Sequence, residues 1–198
     1  MTAAASALAA LAKAERAVQR AKDARTATRR RLRPEPVGNP VLTGWDGKPL
    51  PLSRAFGKQR DLLVVHNMGT TCPYCTLWAD GLNGVRAHLQ DRAALLVVSP
   101  DPVKRQKAFA RARGWRFPMA SAEGTTFFAD MGFASPEGSP WPGVSAFHRD
   151  TRGRITRTGR AEFGPGDDFS PVFPLFDLLK GGVGDWRARF RYEGGQGR

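Results

Sequence analysis

The chain of 198 residues is poor in the residues that do specialised chemistry, with two cysteines, three histidines, two tyrosines and four methionines. Two cysteines cannot build the multi-bridge framework of a small secreted scaffold. No stretch approaches the ~18 apolar residues of a membrane-spanning helix, which argues against a helical membrane protein. Acidic side chains are also scarce, 18 against 31 Lys plus Arg, so the net charge is +13. Hydrophobic residues at 41 % and charged residues at 25 % are ordinary for a globular protein and exclude wholesale disorder. This length suits one ordinary domain with an appendage.

The positive charge is unevenly placed. Residues 1–33 carry nine basic and two acidic side chains, a net of +7, whereas 34–147 and 148–198 each carry only +3. Arg supplies 24 of the 31 cations. A mildly basic body is weak evidence for nucleic-acid binding, and nucleic acid is not expected as a partner.

Residues 2–31 contain no Gly or Pro and are rich in Ala, Leu, Lys, Arg and Gln, which predicts one long helix. Its apolar stripe (Leu8, Leu11, Ala14, Val18, Ala21) is shallow, and Pro34 and Pro36 stop the helix. No basic residue precedes Lys13, unlike a secretory signal, and Glu15 and Asp23 are atypical of a transit peptide, so a cytoplasmic location is expected. Further on, Trp45–Lys48 reads as a turn between two short extended pieces. Leu62–Val65 and Ala93–Val98 read as strands buried on both faces. A helix over 73–90 separates them, and a basic helix to Arg113 follows Ser99-Pro100-Asp101-Pro102. Val144–His148 and Arg154–Thr158 predict a hairpin about the turn Asp150–Gly153, and Val172–Lys180 a last helix before a fraying Gly- and Arg-rich tail. The organisation expected is therefore an arm (1–36), a βαβα-then-ββα domain (37–182) and a tail (183–198).

Both cysteines fall in one motif, Cys72-Pro73-Tyr74-Cys75, directly after the first buried strand. Two randomly placed cysteines would fall three apart about once in a hundred times in a chain this long. Pro73 suits the first position of a helix, which makes Cys72 its N-cap, where free N–H groups and the helix dipole stabilise a thiolate. Cys75, one turn later, faces the same side, so a disulfide can close and reopen with little movement. This arrangement points to Cys72 as nucleophile and Cys75 as resolving thiol. Two other uses exist for such a pair: half of a zinc site, or two inert buried thiols. His66, His88 and His148 lack ligand-pair spacing, so no metal is expected, and a helix-start position disfavours inert thiols.

With this motif the chain resembles the thioredoxin superfamily over about Val41–Lys180. It is most similar to a functionally uncharacterised bacterial thioredoxin-like family with a long basic N-terminal helix. The resemblance is carried by Leu62–Met68, Cys72–Gly84, Val97–Pro102, Gly114–Pro118 and Trp141–Phe147. The implied fold is α/β and thioredoxin-like, a central mixed sheet flanked by helices, with an N-terminal helical extension. The inner pair Pro73-Tyr74 is similar to that of glutaredoxins, placing Tyr74 at the substrate surface. Pro142 matches the superfamily's cis-proline, which lies beside the disulfide and offers backbone to an extended substrate. His66 stands where thioredoxins carry a buried acidic residue, six residues before the first cysteine, and could exchange a proton with Cys75.

The chain also departs from its relatives, since Thr71 replaces the usual Trp before the motif and Gly69 occupies the position of the peroxiredoxin Thr or Ser. The expected activity is thiol–disulfide exchange, with a disulfide substrate, a cellular thiol reductant and no cofactor. Alternatives are a peroxide-reducing relative, or a binding protein whose basic helix contacts acidic partners. The arm could equally form a homodimer. Trp78 and Trp115 read as core, Lys104–Arg116 as a solvated basic face, and Asp80 as either a helix-solvating or a site-orienting group.

Overall fold

The computed structural model describes residues 2–192 and divides into two units, Met1–Pro34 and Glu35–Arg198. The first is α1 (Ala3–Arg31). Thr2 caps it, its hydroxyl accepting the Ala5 N–H at 3.3 Å, and Arg29–Arg31 sit at the end where cations complement the helix dipole. No residue of α1 is buried, and Leu8, Leu11 and Val18 are all more than half exposed.

The second unit is built on one eight-stranded sheet of order β1-β8-β7-β4-β5-β6-β2-β3. Its strands are β1 (Glu35–Val37), β2 (Val41–Gly44), β3 (Pro49–Pro51), β4 (Asp61–His66), β5 (Ala94–Ser99), β6 (Met119–Ser121), β7 (Gly143–Arg149) and β8 (Ile155–Glu162). β4, β5 and β6 run parallel, and every other neighbouring pair is antiparallel. The helices are α2 (Leu52–Ala55), α3 (Pro73–Arg92), α4 (Val103–Arg113), α5 (Phe127–Asp130) and α6 (Val172–Phe176). This is the thioredoxin-like α/β architecture, with the βαβ crossover β4-α3-β5 and the hairpin β7-β8 at its centre.

The predicted buried strands are central because their apolar runs face two cores. Leu62 and Val64 join Leu96, Phe127, Phe133 and Phe147 on one face. Val65, Trp78, Ala79, Val97, Trp115 and Phe117 fill the other, under α3 and α4. Trp78 and Trp115 are core residues as expected. Asp80 also takes a structural role that was not foreseen: its carboxylate accepts from the Arg113 guanidinium and from Trp115 Nε1 (2.7 Å), pinning α3 to the end of α4.

Several boundaries differ from expectation. The arm ends at Pro34, because Glu35–Val37 pair with β8 as an edge strand. β8 runs on to Glu162 past a bulge opposite Ala146 and Phe147. The last helix is short and ends at Phe176. The described part of the predicted tail does not fray: Trp186 packs on Phe173 and Phe176, and Arg113 donates to the Phe190 carbonyl at 2.8 Å. Residues 193–198, the rest of the predicted tail, lie outside the described residues. Among the described residues no helix is long and apolar enough to cross a membrane.

Candidate functional site

Three segments converge at the C-terminal ends of β4 and β5, where a parallel pair leaves its loops. These are the loop from β4 into α3, the loop from β5 into α4, and the strand start at Gly143, which pairs with His66. Cys72 is the N-cap of α3 and Pro73 its first residue, as the motif predicted. Cys72 and Cys75 form a disulfide, with Cα atoms 5.2 Å apart. The Cys75 N–H donates to Cys72 Sγ at 3.0 Å, and Thr76 donates to the Cys72 carbonyl through both N–H (3.1 Å) and hydroxyl (3.0 Å). Cys72 is partly exposed, whereas Cys75 is 2 % exposed. The more exposed cysteine is thus the one at the positive end of the helix, and the buried one lies one turn in. Tyr74 is half-buried against Trp78, ring centroids 6.3 Å apart.

His66 is placed differently from the role foreseen for it. Strand alternation sends it to the face opposite α3, with Leu62 and Val64. It is fully buried, stacks on Phe133 at 4.0 Å between centroids, and has Phe127 and Phe128 at 5.6 Å. Nε2 lies 2.9 Å from Ser145 Oγ, while Nδ1 has no hydrogen-bond partner. Burial, helped by the positive charge of Arg157, pushes its pKa down to about 3. An imidazole so reluctant to take a proton is a poor base near neutral pH, which argues against the exchange with Cys75.

Pro142 also departs from expectation. The Trp141–Pro142 peptide is trans, as are all described peptide bonds. The Trp141 N–H donates to the Phe133 carbonyl at 2.7 Å, and the Pro142 carbonyl accepts from Phe163 N–H at 3.0 Å. Those groups hold the loop to its own fold and are not offered to an incoming strand. Trp141 itself is 43 % exposed. Among the described residues no cluster of three His, Cys, Asp or Glu side chains could hold a metal ion.

Sequence reasoning missed Asn67, Gly69 and Asp101. Asn67 accepts the Gly69 N–H at 2.8 Å through Oδ1 and donates through Nδ2 to the Cys75 carbonyl at 3.4 Å. Asp101, in the Ser-Pro-Asp-Pro loop, accepts the Thr70 N–H at 2.7 Å. A signal was available in Gly69, since a glycine in the short loop leading to an N-cap cysteine suits backbone that another group approaches closely.

A family described as "Bacterial protein of unknown function (DUF899)" matches residues 2–190, nearly the whole sequence. The chain belongs to this family. No curated protein matches the DUF899 chain. Among solved structures it is similar to peroxidoxin BcpB from Mycobacterium tuberculosis at 25 % identity, covering 62 % of this chain and 80 % of that one, with a TM-score of 0.50. A peroxiredoxin-like protein from Aquifex aeolicus aligns at 15 % identity over 65 % and 74 % of the two chains, with a TM-score of 0.52. Peroxiredoxin Q from Xanthomonas campestris aligns at 16 % identity over 62 % and 79 %, with a TM-score of 0.53. These likenesses establish a shared thioredoxin-type fold for the DUF899 chain.

Proposed function

We propose that this DUF899 protein is a thiol–disulfide oxidoreductase acting on protein or low-molecular-weight disulfides. One observation carries the reading: a partly exposed Cys72 at the N-cap of a 20-residue helix, disulfide-bonded to a buried Cys75 one turn in. In the reduced protein the Cys72 thiolate attacks a substrate disulfide, forming a mixed disulfide and releasing one substrate thiolate. Cys75, losing its proton to solvent or to that thiolate, then attacks Cys72 Sγ. The protein disulfide forms and the second substrate thiolate leaves. A thiol reductant returns the pair to the dithiol. Tyr74, inside the motif and half-buried, is the side chain offered to a substrate in this reading. Pro142 is the weaker part of the proposed substrate surface, because its carbonyl is already engaged.

Reduction of insulin disulfides by the wild type and by Cys72→Ser tests the reading. Turnover only in the wild type supports it, and equal rates in both proteins refute it. A second reading, peroxide reduction, is favoured by the similarity to a protein named as a peroxidoxin. There Cys72 thiolate would cleave the O–O bond, giving a sulfenic acid and water or alcohol, and Cys75 would condense with it to the same disulfide, releasing water. Peroxide-dependent consumption of a coupled reductant separates the two. The exposed stripe of α1 is a further proposal for assembly with a second copy, testable by light scattering of a chain lacking it.

A further inference from the structure

The loop that delivers Cys72 to α3 is not held by its own side chains alone. Its N–H groups can be followed in order. Asn67 donates to the Val98 carbonyl (2.8 Å), Gly69 to Asn67 Oδ1 (2.8 Å), Thr70 to Asp101 Oδ2 (2.7 Å), and Cys72 to the Gly69 carbonyl (3.2 Å). The last of these closes a four-residue turn, Gly69–Cys72, and the Thr70 bond ties that turn to a carboxylate on the next crossover. Thr70 Oγ1 adds a longer contact to Asp101 Oδ1 at 3.4 Å.

Asp101 is built into its position. Its N–H donates to Ser99 Oγ (3.3 Å), and its carbonyl accepts from Gln106 Nε2 (3.1 Å) and Ser121 Oγ (2.7 Å). The residue is 8 % exposed, with Arg105 as its counter-ion at 3.5 Å. Gly69 adopts φ +106°, and a Cβ there would fall 2.6 Å from Asp101 Oδ2. The carboxylate therefore occupies the space that a side chain at position 69 would need. Together these contacts make the acceptor for Thr70 a fixed point and not a mobile surface group.

A thiolate at a helix N-cap depends on alignment, because the sulfur must stay over the free N–H groups of the first turn. Here Cys75 N–H already points at Cys72 Sγ. We propose that Asp101 is a positioning residue for Cys72, gripping the Gly69–Cys72 turn through Thr70 so that the sulfur stays aligned with the start of α3. The role rests on the reading of Cys72 as the nucleophile.

The test is the pH profile of iodoacetamide alkylation of Cys72 in the reduced full-length chain. A Cys75→Ser background is used so that one thiol reacts, with Asp101→Ala and Asp101→Asn compared with that parent. Asn keeps an oxygen acceptor for the Thr70 N–H, and Ala does not. Asp101→Ala should raise the midpoint of the profile by about one pH unit, slowing alkylation by about tenfold at pH values well below the parent's midpoint. Asp101→Asn should stay within about twofold of the parent. An Asp101→Ala profile superimposed on the parent, even with a lower melting temperature, would mean a purely structural role and overturn the proposal. So would an Asn variant as slow as the Ala variant. Should Asp101→Ala not fold, hydrogen exchange of the Thr70 amide in the unsubstituted protein decides instead. Exchange slowed at least ~100-fold supports the grip, and unprotected exchange overturns it. An ordinary midpoint near ~8.5 in the parent, together with no disulfide reduction by the unsubstituted protein, would instead sink the oxidoreductase reading itself.

Discussion

His66 makes the stability of the protein depend on pH in a way that can be calculated. Its ring is fully buried among Phe127, Phe128 and Phe133, with Ser145 as its hydrogen-bond partner. Its pKa falls from 6.5 to about 3, through loss of hydration first and repulsion from Arg157 second. Between those two values the unfolded chain binds a proton that the folded chain refuses, so acid favours unfolding. The contribution of His66 is complete above pH 6.5 and is lost progressively as pH falls toward 3. Each pH unit in that window removes up to about 1.4 kcal/mol, so roughly 2.5 kcal/mol is lost between pH 7.5 and 4.5. The perturbation is His66→Gln, which keeps an amide donor for Ser145 and cannot titrate. Urea unfolding followed by tryptophan fluorescence at both pH values measures the difference. Asp61 and Glu35, whose carboxyl pKa values are lowered chiefly by hydrogen bonds from His148 and Arg157 respectively, also lose stability in acid. They are present in both proteins and cancel in the comparison. Wild type should therefore lose roughly 2.5 kcal/mol more than the variant over that interval. Equal losses, within about 0.5 kcal/mol, would refute the claim that His66 is held neutral in the folded state.

Cys75→Ser should lower turnover with disulfide substrates by at least ~100-fold and accumulate a mixed disulfide on Cys72, visible by intact-mass spectrometry. Gly143→Ala should destabilise the protein by about 3 kcal/mol in urea unfolding, because a Cβ there would sit 2.2 Å from Phe133 Cε1 and 2.5 Å from the Ala161 carbonyl. Removing residues 1–34 should leave the melting temperature within about 3 °C, since the second unit carries both apolar cores.

The elements legible in the sequence were those with continuous apolar runs or a motif at their start. β4 and β5 announced themselves as doubly covered strands, and Cys72-Pro73 marked the beginning of α3 to the residue. β1 and β6 were invisible because three-residue strands carry no periodicity and owe their existence to distant partners, β8 for one and β2 and β5 for the other. α5 is four residues long and was equally silent, yet its Phe127 and Phe128 build the pocket around His66. The same cause explains the histidine: its distance from Cys72 along the chain was readable, but its face was set by strand alternation and by Phe133 stacking on it. Asp101 was in view as part of a loop. Its grip on Thr70 depends on how the loop after β5 meets the loop after β4, a contact between distant residues that no local pattern encodes.

The outer strand β3 has one further consequence. Gly44 N–H donates to the Lys48 carbonyl and Leu52 N–H to the Pro40 carbonyl, both at 2.9 Å, so the even-numbered residues from 48 to 52 face β2. The outward-facing positions are then 49 and 51, and both are proline. That rim exposes carbonyl groups but no N–H donor, and an incoming strand would find half of each hydrogen-bonded rung missing. A chain that leaves one side of an eight-stranded sheet open to water in this way is protected there against templating its own copies into a growing ribbon. Extension of the sheet into a ribbon is therefore blocked at its β3 edge, and self-assembly of this protein must use some other surface.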